Sequence, residues 1–230
     1  MSSIQLVVFD IAGTTVRDTG NVAKAFIDAF REFDIEVPTS PINHVMGFRK
    51  KDAIRLLLAG DNNDVLIEQI HEAFIRNMLA LYENGPELTP LPQVEETFQQ
   101  LKQWGIKIAL NTGFTRPVTD AILQRLQWTI PETIDMVLCS DEVTEGRPQP
   151  DMIKTIMQQM DITDSKAVVK VGDTRVDVEE GRNAGCGLVV SVTTGAYTRS
   201  ELALCKPDYI IDSIAELPAL FPVQYSAFNI

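Results

Sequence analysis

Three short apolar runs in this 230-residue chain each end on groups able to handle phosphate or a divalent cation. Residues 4–9 end at Asp10 and continue Ile11-Ala12-Gly13-Thr14-Thr15; residues 106–110 continue Asn111-Thr112-Gly113-Phe114-Thr115-Arg116. Residues 167–171 continue Gly172-Asp173-Thr174-Arg175-Val176-Asp177, and Gly146-Arg147-Pro148 lies between the last two runs. A carboxylate beside phosphorus can act as a nucleophile. Paired carboxylates hold a hard divalent cation. A hydroxyl, backbone N–H groups and a guanidinium can hold the phosphoryl oxygens and offset the charge that develops in transfer. Taken singly, each has an ordinary structural role: a strand-end Asp caps a turn, Thr112-Gly113 is a turn, Arg147 is a solvated charge, and Asp173 with Asp177 charge a first helical turn. Their succession on strand ends, where open parallel sheets bind ligands, is what points to chemistry.

The elements that must position them follow from hydrophobic periodicity. Six nearly all-apolar runs (4–9, 106–110, 136–139, 167–171, 188–192 and 209–211) suit strands covered on both faces. Helical patterns at 94–104, 118–126, 151–160 and 176–184 alternate with them. This alternation predicts an α/β core built on a Rossmann-like parallel sheet. From Thr19 to Gly85 the alternation stops, and only helical patterns remain, at 21–33, 50–59 and 64–83. We therefore expect an all-helical cap over residues 19–85, inserted into a core of residues 1–18 and 86–230. Asp18-Thr19-Gly20 and Asn84-Gly85-Pro86 mark its bounds, and Leu88-Thr89-Pro90-Leu91-Pro92 is a connector that resists helix.

Composition narrows the partners. Lys+Arg 20 against Asp+Glu 32 gives a net charge of −12, which disfavours nucleic acid and anionic membrane surfaces. Three scattered cysteines, the lack of a leader pattern and the lack of a long apolar run suggest a reducing, cytoplasmic setting without disulfides. His44 and His71 stand apart, so zinc is not expected. Within 19–85, Arg49-Lys50-Lys51 bunches three cations at a helix start, where the helix dipole disfavours them. We read this as a loop aimed at an anionic substrate.

In order and spacing these motifs resemble the haloacid dehalogenase superfamily of hydrolases and phosphatases, and more narrowly its phosphonatase branch. The resemblance spans essentially the whole chain. Asp10-Ile11-Ala12-Gly13-Thr14 carries Ala where most of the superfamily has a second Asp, and Gly146-Arg147-Pro148 carries Arg where most have Lys, both as in that branch. The resemblance implies Asp10 as nucleophile, with Mg2+ held by Asp10, the Ala12 carbonyl and Asp173, and Asp177 orienting Arg147 or a metal-bound water. It further implies Gly13, Thr14, Thr112 and Gly113 around the phosphoryl group, Arg147 countering its charge, and Gly47, Arg49 and Lys50 reaching it from the cap.

Aligned on Met46-Gly47, Lys50 falls where phosphonoacetaldehyde hydrolase has the lysine that forms a Schiff base with its substrate. Three departures stand beside that match. Ala53 replaces a proton-shuttling histidine, Phe114 replaces a tyrosine, and no cysteine occurs in 21–25. The leading expectation is a Mg-dependent hydrolase releasing phosphate from a small phosphonate or phosphate ester. The alternative is C–P cleavage by way of Lys50. A phospho-accepting receiver domain uses a similar inventory but would not carry a 67-residue insert after its first strand. The assembly state is open, a homodimer being the one entertained.

Overall fold

The computed structural model describes residues 3–59, 63–85 and 88–221. Pro86, at the expected cap boundary, and residues 222–230 of the expected core lie outside the described residues. Six strands, β1 (Leu6–Phe9), β2 (Lys107–Thr112), β3 (Met136–Cys139), β4 (Val168–Gly172), β5 (Leu188–Val192) and β6 (Tyr209–Ile211), form one sheet in the order β3-β2-β1-β4-β5-β6. Every pairing is parallel. The chain builds outward from β1 on one side, then returns to place β4 on the other. This creates a switch point between β1 and β4.

The apolar runs are strands because both of their faces are covered. Val7 and Phe9 join a core with Phe98 and Leu101 of α5 (Val94–Gln103), the Phe9 and Phe98 rings lying 5.2 Å apart. Leu6 and Val8 face the opposite core, with Met152 and Ile156 of α7 (Asp151–Gln159) and Val178 of α8 (Arg175–Ala184). Between β2 and β3 runs α6 (Arg116–Leu126), which starts two residues before the expected 118 because Pro117 supports a first helical turn. The three cysteines are free. No helix among the described residues is long and apolar enough to cross a membrane.

Between β1 and α5 the chain is helical: α1 (Asn21–Arg31), α2 (Thr39–His44), α3 (Lys50–Leu57) and α4 (Asp64–Asn84). Val22, Ala25, Phe26, Ala29 and Phe30 form the buried stripe of α1, and Phe26 meets Phe74 of α4 at 4.5 Å. The chain leaves and re-enters the sheet side by side. Arg17 N donates to Thr89 O (3.0 Å) and Leu91 N to Thr15 O (2.9 Å). The Pro-rich connector is accordingly extended. Two short helices escape the periodicity reading, α2 and α9 (Arg199–Cys205). The second carries a legible signal: Thr198 and Glu201 make a reciprocal capping box.

Candidate active site

β1 delivers Asp10 to the switch point, where its N–H bonds Val171 O of β4 at 3.0 Å. The chain then turns tightly, with Thr15 and Val16 N–H groups closing on Ile11 O. Gly13 sits at φ +86°, and a Cβ there would lie 2.8 Å from Asp173 Oδ2, so this turn admits only glycine. Asp173, just past β4, is fixed by Thr14 Oγ1 donating to its Oδ1 (3.0 Å) and Ala196 N to its Oδ2 (2.7 Å). Gly195 lets that contact form, since a Cβ on it would stand 1.9 Å from Asp173 Oδ2.

Arg147 is wholly buried behind Asp10. Its Nη1 reaches Asp10 Oδ1 at 2.6 Å and Asp177 Oδ1 at 3.0 Å, and its Nη2 donates to the Asn111 carbonyl and side-chain oxygens at 2.6 Å each. Lys170, inside β4, adds a second buried cation, 2.7 Å from Asn111 Oδ1, 3.0 Å from Asp177 Oδ1 and 3.2 Å from Glu180 Oε2. Glu180 Oε2 also lies 3.1 Å from Arg147 Nε, a charge contact not aligned as a hydrogen bond. Buried charges persist only when paired, and here two cations face Asp10, Asp177 and Glu180. Asn111 and Glu180 fall within motifs read from the sequence but carry no role there, and Lys170 falls in none. A lone lysine inside Val168-Val169-Lys170-Val171 was the available signal.

A cavity of about 220 Å3 opens above this network. Of the residues named from sequence, Asp10, Ala12, Gly13, Gly47, Lys50, Thr112, Gly113 and Asp173 line it, whereas Thr14, Arg49, Arg147 and Asp177 stand behind or beside. Asp18 and Asn43 also line it and were not anticipated. Lys50, the first residue of α3, is buried, with Nζ 4.9 Å from the Phe114 ring centroid and 5.8 Å from that of Phe26, donating to Phe48 O at 3.3 Å.

The two neighbouring cations do not join Lys50, which corrects the reading of all three as aimed at substrate. Arg49 donates to Val143 O (2.9 Å) and Thr144 O (3.0 Å) in the loop before Arg147, and Lys51 pairs with Glu68 at 2.5 Å. The cationic bunch divides its work: one amine enters the cavity, one guanidinium ties the helices to the core, and one charge is spent on the surface. The segment around Arg49 is pressed onto the core, since a Cβ on Gly113 would lie 2.3 Å from Phe48 O and one on Gly47 would lie 2.6 Å from Thr174 Oγ1.

Electrostatics follow burial. Burial lowers the Lys50 pKa from its ordinary 10.5 to about 8, against the charge of Asp10. Burial also raises Asp10, although Arg147 counters it, and raises Asp173 well above the carboxylate range, with Asp10 and Asp177 adding to the effect. Asp177 behaves oppositely: Arg147 and Lys170 outweigh its burial and hold it low. Asp10, Asp173 and Asp177 each present an oxygen within 4.8 Å of the others. Asp177 is already engaged by Arg147, Lys170 and Thr174, which leaves Asp10 and Asp173 as the less compensated pair. Hard carboxylate oxygens short of positive charge fit a divalent cation.

Comparison with known proteins agrees with this geometry. Residues 7–191 match the family described as haloacid dehalogenase-like hydrolase. Phosphonoacetaldehyde hydrolase of Latilactobacillus sakei is 31% identical over 260 residues, covering 96% of each chain, and that of Bordetella pertussis is 31% identical over 253 residues, covering 94% of this chain and 90% of its own. A crystal structure of a phosphonoacetaldehyde hydrolase-like protein from Oleispira antarctica superposes with a TM-score of 0.84 at 22% identity, over 95% of this chain and 91% of that one. A hydrolase from Pseudomonas syringae gives the same TM-score at 18% identity, over 94% and 97%. The matched span holds all the strand ends that meet at the cavity, and the chain belongs to the haloacid dehalogenase-like family of hydrolases.

Proposed function

We propose that this hydrolase releases inorganic phosphate from a small phosphonate or phosphate ester, with Asp10 as phosphoryl acceptor and magnesium as its cation. We further propose that its preferred substrate is a phosphonate carrying an aldehyde, held as an imine on Lys50. The observation behind the second statement is one buried amine in the cavity that Asp10 lines, with a pKa lowered to about 8. An amine attacks a carbonyl only when neutral, and burial favours that form. The curated relatives named phosphonoacetaldehyde hydrolase support the same choice.

The steps follow from the side chains. Neutral Lys50 adds to the aldehyde carbon and water departs, leaving a protonated imine beside the carbon bound to phosphorus. The Asp10 carboxylate, whose Oδ1 is steadied by Arg147 at 2.6 Å, attacks phosphorus. The P–C bond breaks and its electron pair enters the carbon as an enamine, while phosphate is left as an acyl phosphate on Asp10. Protonation and hydrolysis of the enamine free the aldehyde product, and water releases phosphate from Asp10. Asp10, Asp173 and the Ala12 carbonyl would hold a divalent cation, whose charge would offset the repulsion between carboxylate and phosphoryl oxygens. Thr112, Gly113 and Gly13 surround the phosphoryl group, Thr14 steadies Asp173 from behind, and Gly47 closes over the site. Residues 19–85 serve as the cap that excludes bulk water from the core of 1–18 and 86–230.

A second reading is phosphate-ester hydrolysis with Lys50 as a plain cation. It is favoured by Ala53 and Phe114, which supply neither of the protic groups expected at those positions. Borohydride added during turnover of phosphonoacetaldehyde separates the two. The proposal expects irreversible inactivation with an alkylated Lys50; release of phosphate from esters without any lysine adduct selects the second reading.

A further inference from the structure

Imine chemistry needs a group that takes a proton from the amine and returns it to the departing oxygen. Among the described residues, four ionisable side chains line the cavity: Asp10, Asp18, Lys50 and Asp173. Asp10 is held by Arg147 and committed to phosphorus, and both oxygens of Asp173 are taken by Thr14 and Ala196. Lys50 is the amine itself. Positions 12 and 53, near Asp10 and Lys50 in the sequence, are both alanine and supply no protic group. Asp18 remains. Its Oδ1 accepts the N–H groups of Asn21 (2.7 Å), Gly20 (3.0 Å) and Val22 (3.4 Å), which fixes the carboxylate at the start of α1. It is half-buried, so it touches both the cavity and the solvent that resupplies protons. Its negative charge bears on Lys50 and on the buried hydroxyl of Tyr82.

We infer that Asp18 is a catalytic residue, the general acid–base for forming and hydrolysing the Lys50 imine. This rests on the imine reading above. Asp18 carboxylate takes one proton from the Lys50 ammonium, and the freed electron pair of Nζ bonds to the aldehyde carbon. The carbonyl oxygen takes a second proton from that nitrogen, giving a neutral carbinolamine. Asp18 then returns its proton to the hydroxyl, which leaves as water while the nitrogen pair closes the C=N bond. The outcome is one iminium, one water and Asp18 again a carboxylate. The reverse sequence releases the aldehyde product.

The test is the rate of borohydride trapping by phosphonoacetaldehyde, with magnesium, in the wild-type protein and in Asp18→Asn. Asparagine keeps an oxygen for the three N–H groups, so α1 stays capped. Asp18→Ser, also a good cap, is the second variant should the first melt early. We expect the Lys50 adduct to form at least roughly tenfold more slowly in either variant, and formate added at high concentration to restore much of the rate. An unchanged trapping rate, or a slow rate that formate does not move, overturns the role of Asp18 while leaving Lys50 in place. Absence of any wild-type adduct overturns the imine reading and this inference with it.

Discussion

At the scale of single residues, the site is a set of charges that would be unfavourable anywhere else. Lys50 illustrates the trade. Its pKa falls from 10.5 unfolded to about 8 folded, so the unfolded chain binds the extra proton. The resulting cost to folding is full below pH 8 and fades as pH climbs to 10.5, on the order of 3 kcal/mol at most. Lys50→Met is therefore expected to melt at a higher temperature than the wild type at pH 7 while losing imine formation; a lower melting temperature would contradict this account of the site. The same shift predicts that trapping of an aldehyde by the wild type accelerates as pH rises toward about 8 and levels off above it. A trapping rate flat between pH 6 and 9 would contradict it.

At the scale of elements, function depends on how the segment 46–50 is seated. Arg49 is the tie, donating to the carbonyls of Val143 and Thr144. Arg49→Ala removes hydrogen bonds from a charged donor, a loss of ~1.5–3 kcal/mol tempered by partial exposure. We expect kcat/KM to fall roughly tenfold by a similar factor for every substrate, because a tie acts on the seating of α3 and not on the ligand. An effect confined to the more highly charged substrates would instead make Arg49 a substrate ligand. Sequence alone placed the strands, the strand-end acids and Lys50, because apolar runs and abrupt polar stops are local signals. It misassigned Arg49, whose carbonyl partners lie 94 and 95 positions away and carry no residue-type signature. Lys170 and Glu180 escaped for the same reason: β4 and α8 turn them onto Arg147 and onto each other, and nothing in their spacing says so. The sequence reading takes Asp18 only as a boundary residue, because its place in the cavity depends on how α1 leaves β1.

At the scale of the molecule, a chain of net charge −12 gathers, among the described residues, one buried cluster of three carboxylates, and a cation bound there should govern global stability. Saturating magnesium at about 100 Kd adds ~2.7 kcal/mol to the folded state. For a chain of this size that raises the melting temperature by roughly 5–10 °C. Asp173→Asn removes a buried carboxyl group that Asp10 and Asp177 repel, so it should raise the metal-free melting temperature and abolish the magnesium shift; a shift retained in full would move the metal elsewhere. Turnover by the proposed route depends above all on the strand-end carboxylate of Asp10. Magnesium-dependent release of inorganic phosphate, measured for wild type and Asp10→Asn across phosphonoacetaldehyde and small phosphate esters, is the decisive measurement. The prediction is phosphate release by the wild type and a loss of at least ~10⁴-fold in the variant. Equal turnover by Asp10→Asn, or no phosphate from any of these substrates, would contradict it.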